Sequence, residues 1–130
     1  MVRFSDLGVG PSLVDVLREG GIEEPFEVQR KTIPEALLGR DVCCRAPTGS
    51  GKTLAFGIPL VSLAAEAKSQ RPTSLILTPT RELAEQIRGV LKPLADSVGL
   101  GVASVYGGTP YKGQLRRLNQ GVEILVACPG

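Results

Sequence analysis

Residues 46–53 read Ala46-Pro47-Thr48-Gly49-Ser50-Gly51-Lys52-Thr53, directly after the apolar run Val42-Cys43-Cys44. Small residues and two glycines allow backbone N–H groups to turn inward around phosphate oxygens. Lys52 supplies a point charge for the β- and γ-phosphates, and the Thr53 hydroxyl is placed to ligate Mg²⁺. A helix beginning near Gly51 would aim its positive dipole end at the same anion. The generic phosphate-loop pattern opens with Gly, whereas position 46 is Ala. The competing reading, a Gly-rich strand-to-helix turn with an incidental Lys-Thr, leaves the order of strand, loop and helix signals without a purpose.

Outward from the loop, apolar runs alternate with helical patterns, the mark of βαβ units on a parallel sheet. Strands are expected at Val42–Arg45, Leu75–Thr78, Val102–Tyr106 and Glu123–Ala127. They lack polar alternation, as strands covered on both faces do. Leu83, Ile87, Leu91 and Leu94 recur at helical spacing and leave Glu82, Glu85, Gln86, Arg88 and Lys92 for the wet face. The segment Gly51–Ala67 is apolar nearly all round, which predicts a well-buried helix with a kink or break at Pro59. Ahead of the loop, Leu13–Arg18 and Glu27–Leu38 read as short helices, the second interrupted by Pro34 and stopped at Gly39.

Composition narrows the class. At 130 residues the chain is expected to form one domain, large enough to remove roughly two-thirds of its unfolded surface from water. It is 42% hydrophobic, and no run reaches the ~18 apolar residues that span a bilayer, so no membrane partner is expected. The start, Met1-Val2-Arg3-Phe4-Ser5-Asp6, has no apolar run like that of a signal peptide. Three Cys, two of them adjacent at 43 and 44, form neither a disulfide framework nor a zinc spacing. They read as buried, reduced thiols in a cytoplasmic protein. A net charge of +2 demands no polyanionic partner, so any nucleic-acid contact has to be local.

The loop with Ala at its head resembles the form used by superfamily 2 helicases, above all the DEAD-box RNA helicases. Gly21-Ile22-Glu23-Glu24-Pro25-Phe26-Glu27-Val28-Gln29 is similar to that family's Q motif, and Phe4 lies upstream where the family places an isolated aromatic. Pro79-Thr80-Arg81-Glu82-Leu83-Ala84 matches motif Ia, Gly107-Gly108 resembles the GG element, and Cys128-Pro129-Gly130 resembles the start of motif Ib. The resemblance implies an α/β, RecA-like P-loop NTPase domain: a parallel β-sheet flanked by helices, with residues 1–40 as a helical cap and 41–130 as the α/β core. It also implies ATP or ADP with Mg²⁺ as cofactors, and RNA, single-stranded or duplex, as the partner.

The Q motif has its own physical logic. A Gln carboxamide presents a donor and an acceptor side by side, matching the N6 donor and N7 acceptor of adenine. Guanine offers two acceptors there, so Gln29 should favour ATP over GTP. Phe4 either stacks on the base, where such contacts are worth roughly 1–3 kcal/mol, or anchors the N-terminus to the core. Phe26 stands where the family generally carries Ser or Thr, so no polar role is transferred to it.

Thr80, with nearby backbone N–H groups, is placed to hold a nucleic-acid phosphate, and Arg81 to add a charged contact. Thr80 serves equally well as a helix cap. The resemblance implies that Pro79, Thr80, Arg81, Gly107 and Gly108 grip the sugar-phosphate backbone without reading bases. Lys112, Arg116 and Arg117 read as a solvated helix face, and Cys128 replaces the hydroxyl-bearing Thr of motif Ib.

Hydrolysis needs a carboxylate for Mg²⁺, a group that orients water, and arginines that stabilise the transition state. In the family these come from the Asp-Glu-Ala-Asp motif and a second domain. The sequence reaches Gly130 without that motif, so nucleotide binding with negligible turnover is expected. The strands that normally flank the loop strand would also follow it, and an open sheet predicts a homodimer or strand-exchanged assembly. A non-catalytic adenine-nucleotide or RNA-binding module, and another P-loop NTPase such as a DNA helicase, are the alternatives.

Overall fold

The computed structural model describes residues 1–67, 71–107, 113 and 121–129. Gly108, Lys112, Arg116, Arg117 and Gly130, singled out above, lie outside the described residues. The chain divides into two compact units, Met1–Leu63 and Ala64–Gly130.

The first unit opens with a short 3-10 helix, Phe4–Leu7, followed by α1 (Pro11–Glu19) and α2 (Glu27–Leu37). Pro11 starts α1, where its fixed φ and missing N–H cost nothing. Phe4, Leu13, Leu17 and Ile33 are all buried, and the 3-10 helix packs on both α1 and α2. Gly39 follows α2 with φ +81, the left-handed stop that the sequence suggested. Pro34 does not interrupt α2, which runs unbroken to Leu37.

The helix α3 (Lys52–Ala67) follows the phosphate-loop stretch, and Pro59 does not break it either. A mid-helix proline costs about 3 kcal/mol. That cost is offset by the burial of Ala55, Ile58, Val61 and Ala64 at spacings of three. Ser62 Oγ additionally donates to the Ile58 carbonyl at 2.8 Å, just before the proline. The helix is not buried all round, however: Phe56 and Leu63 face solvent.

The expected first strand is absent. Residues 41–47 have no regular structure, and Val42, Cys43 and Cys44 are exposed. An apolar run identifies a strand only when a ladder partner exists, and this one has none among the described residues. The two adjacent cysteines are therefore exposed thiols rather than buried ones.

In the second unit, β1 (Ser74–Leu77), α4 (Arg81–Ser97), β2 (Val102–Val105) and β3 (Ile124–Ala127) form a parallel sheet in the order β1-β3-β2. Register pairs Ser74 and Val102 with Ile124, and Leu77 and Val105 with Ala127. Helix α4 packs on β2 and β3 through Ala84, Ile87, Leu91, Leu94 and Ala95. Leu83, expected inward, is exposed, so the buried stripe starts one residue later. Central β3 buries Ile124 and Val126 completely, but β1 leaves Leu75 and Leu77 exposed, so one of its faces is uncovered. Glu123, buried just before β3, accepts from the Gly101 N–H at 2.7 Å and ties the start of β2 to β3. Among the described residues no helix is long and apolar enough to cross a membrane.

Candidate functional site

The turn that leads into α3 is built for an anion. Gly49 and Gly51 take φ +81 and +86, a region that L side chains rarely adopt. Ser50 folds back on the Pro47 carbonyl through both its N–H and its hydroxyl. The first internal bond of α3 runs from Ala55 N–H to the Gly51 carbonyl. The N–H groups of Lys52, Thr53 and Leu54 are thus the orphan donors of a helix start. Lys52 is exposed and makes no ion pair among the described residues, while Thr53 is half-buried beside it. Converging donors, a free ammonium and a hydroxyl fit a polyphosphate with its cation. Among the described residues no group of three His, Cys, Asp or Glu gathers to hold a metal. Thr53 offers a hydroxyl oxygen at this helix start, a donor type that suits a hard cation.

Gln29, at the start of α2, is 2% exposed and engaged at both ends of its carboxamide. Oε1 accepts from the Phe26 N–H at 2.8 Å, and Nε2 donates to the Gly51 carbonyl at 3.1 Å. The first bond caps α2. The second joins α2 to the phosphate loop, a link that spacing alone did not reveal. Gly51 is packed so closely that a β-carbon there would run into the Gln29 carboxamide and stand 2.7 Å from Phe26 Cδ2.

A cleft of about 620 Å³ is lined by Phe26, Lys31, Thr32, Arg45, Ala46 and Pro47 among others, and Gln29, Gly51, Lys52 and Thr53 are not in its lining. Ala46 is half-buried, whereas Pro47, Thr48 and Gly49 are exposed. Phe26, 57% exposed at the cleft wall, takes a place in the site that the Q-motif comparison did not give it. Phe4 is 2% exposed and is not in the cleft lining, which matches its reading as an anchor.

The residues expected to touch nucleic acid collect at one edge of the sheet. Because the three strands are parallel, Pro79-Thr80 after β1, Tyr106-Gly107 after β2 and Cys128-Pro129 after β3 share the C-terminal edge, where α/β sheets bind ligands. Pro79, Thr80, Arg81 and Gly107 are all exposed there. Thr80 is the N-cap of α4: its Oγ1 accepts from the Leu83 N–H at 3.2 Å, a contact worth about 1 kcal/mol. The Cys128 thiol donates to the Pro79 carbonyl at 3.4 Å, joining the first and third loops.

Glu85 departs from its expected place on the wet face of α4. It is half-buried, and its Oε1 accepts from Ser104 Oγ at 2.6 Å and from the Tyr106 hydroxyl at 2.8 Å. Arg88 donates to Oε2 through Nε and Nη2, both at 3.0 Å. The Ser104 hydroxyl above all holds the Glu85 carboxyl below its usual range, and the same carboxylate raises the Tyr106 phenol. The signal was a polar pair, Ser104 and Tyr106, alternating along an otherwise apolar strand.

The DEAD/DEAH box helicase family pattern matches residues 26–130. The chain is 42% identical to the mitochondrial DEAD-box ATP-dependent RNA helicase 9 of Arabidopsis thaliana, covering 99% of this chain and 22% of that protein. It is 40% identical to the pre-mRNA-processing ATP-dependent RNA helicase prp5 of Aspergillus fumigatus, covering 100% of this chain and 11% of that one. The chain thus spans less than a quarter of the length of either relative. Among solved structures, the RNA helicase Prp28 from Chaetomium thermophilum bound to ADP superposes with a TM-score of 0.91 at 41% identity, over all of this chain and 33% of that one. A DEAD box protein from Methanococcus jannaschii gives 0.90 at 35% identity, over all of this chain and 35% of that one. The fold is that of a RecA-like domain, and the chain belongs to the DEAD/DEAH box helicase family.

Proposed function

We propose that this chain is the ATP-binding part of an ATP-dependent RNA helicase that remodels or unwinds RNA duplexes. The observation that carries the reading is the loop itself: two left-handed glycines, three orphan helix N–H groups, an unpaired Lys52 and Thr53 at one helix start. Lys52 neutralises the terminal phosphates, Thr53 holds Mg²⁺, and residues 46–51 wrap the phosphate oxygens. Bound Mg²⁺ would supply charge neutralisation for the leaving phosphates. Gln29 reads the adenine edge, exchanging its bond to the Gly51 carbonyl for the base. Phe4, now buried, would have to turn outward to stack on that base. The nucleotide carried by the similar Prp28 structure, ADP, supports the same choice of base.

Alone, the chain is proposed to bind nucleotide with negligible turnover, because its sequence contains no Asp-Glu-Ala-Asp. Pro79, Thr80, Arg81 and the Gly107-Gly108 pair would contact RNA phosphates at the sheet's C-terminal edge. The test is calorimetric titration of Mg-ADP and Mg-GDP into wild type and Gln29→Ala, with an ATPase assay beside it. ADP should bind in preference to GDP, and the variant should lose roughly 1–3 kcal/mol of ADP affinity. Equal affinity for the two bases, or substantial ATPase activity, would overturn the reading.

Self-association is the second part of the proposal. Among the described residues β1 is an edge strand of the sheet, and it exposes Leu75 and Leu77 on one face. Light scattering should show a homodimer or strand-exchanged species at micromolar concentration, and Leu75→Lys should reduce it. A strict monomer rules it out. Three free cysteines, two of them exposed, support a reducing compartment such as the cytoplasm as the proposed location.

A further inference from the structure

Arg81 and Glu85 stand four residues apart on α4, the spacing at which an arginine and a glutamate ordinarily pair. Among the described residues they do not. Glu85 has about four acceptor sites, and four contacts use them: Ser104 Oγ and the Tyr106 hydroxyl on Oε1, Arg88 Nε and Nη2 on Oε2. Arg81 instead lies over the Tyr106 ring, its Cζ 6.0 Å from the centroid, at the outer limit of a cation–π contact. It makes no ion pair among the described residues.

We propose that Ser104 and Tyr106 are positioning residues: by saturating the Glu85 carboxylate they keep it from capturing Arg81, whose guanidinium stays available for a phosphate of the nucleic-acid backbone. This rests on the RNA reading above. Without the two hydroxyls, Oε1 has open lone pairs one helical turn from Arg81. An arginine hydrogen-bonded to that carboxylate has fewer N–H groups left to present to a phosphate. The ring adds a second function, since its face supports the cation while its hydroxyl occupies the competing anion.

The sign of this arrangement sets the test. A hydroxyl that merely stabilised the fold would leave the phosphate contact and the chemical reactivity of Arg81 unchanged in a variant that still folds. A hydroxyl that restrains a competitor becomes dispensable once the competitor is neutral. The salt dependence of binding to a fluorescent oligouridylate should be measured for wild type, Arg81→Ala, Ser104→Ala/Tyr106→Phe, and that double variant with Glu85→Gln added. Loss of Arg81 should reduce the slope of log affinity against log salt by about 1. The hydroxyl-free double variant should lose a comparable amount, and Glu85→Gln should restore it. Tyr106→Phe alone, at a half-exposed ring, should shift the same way by less.

Reaction of Arg81 with phenylglyoxal, followed by mass spectrometry, gives a readout that needs no RNA. It should slow several-fold in the double variant and recover in the triple variant. A double variant with wild-type slope and wild-type Arg81 reactivity overturns the proposal, as does a loss that Glu85→Gln fails to restore. Absence of oligouridylate binding by wild type at low salt would overturn the RNA reading, and the phenylglyoxal series would still decide whether the carboxylate is restrained.

Discussion

Gly51→Ala is expected to destabilise the first unit by about 2–5 kcal/mol and to weaken nucleotide binding more than tenfold. Two costs combine. An alanine at φ +86 pays about 1–2 kcal/mol for the left-handed conformation. Its methyl would also displace the Gln29 carboxamide, which is buried and bonded to the Gly51 carbonyl, and losing that bond costs about 1–3 kcal/mol more. Gly49→Ala provides the comparison. Its φ is +81, but a β-carbon there meets nothing within 4 Å, so only the conformational cost applies. Urea denaturation and calorimetry of both variants check the argument. Equal losses would mean that the Gln29 and Phe26 packing contributes nothing, and that backbone strain alone explains the glycines.

Leu91→Ala is expected to cost about 3–5 kcal/mol, a large share of a stability that for a domain is about 5–15 kcal/mol. Leu91 is fully buried between α4 and the strands it covers, with Ile87 and Leu94 as buried helix neighbours. Leu83→Ala, at a residue 37% exposed, should cost less than about 1 kcal/mol. The contrast is informative because both leucines fit the same apolar period. Thermal or urea unfolding of the two variants decides which stripe faces the sheet, and similar losses would contradict the observed orientation of α4.

That pair of leucines shows where pattern reading stops. Period alone placed Leu83, Ile87, Leu91 and Leu94 on one face, but in the first turn of α4 Leu83 is exposed and Ala84 takes the inward position. Three of four strands were legible because β-branched and aliphatic runs bounded by turn residues leave few other options. Val42–Arg45, with one valine, two cysteines and an arginine, has no ladder among the described residues, and a strand is a relation between segments that no single run encodes. The order β1-β3-β2 was likewise not readable, since it depends on which crossover returns between which neighbours. The turn at 46–51 and the helix after it were legible, because glycines at fixed local spacing ahead of an apolar helical run leave few other conformations. Gln29 was found, but its partner Gly51 was not, since that bond joins positions 22 residues apart. Glu85 was misplaced for a related reason: a helix-period argument assumes that everything opposite the helix is apolar, and here β2 presents Ser104 and the residue just after it is Tyr106.

Prolines at 34, 59 and 93 sit inside α2, α3 and α4, and all three helices run through them. Each proline costs an isolated helix about 3 kcal/mol, while helices of this length are marginal in water even with favourable sequences. None of the three can therefore serve as an autonomous seed for folding. Their apolar stripes have to find partners before their backbone bonds become worthwhile, so helix formation follows collapse in this chain. For α4 the partners are β2, which follows it directly, and β3 further along the sequence, so closing the loop to β3 rather than helix nucleation limits the assembly of the second unit.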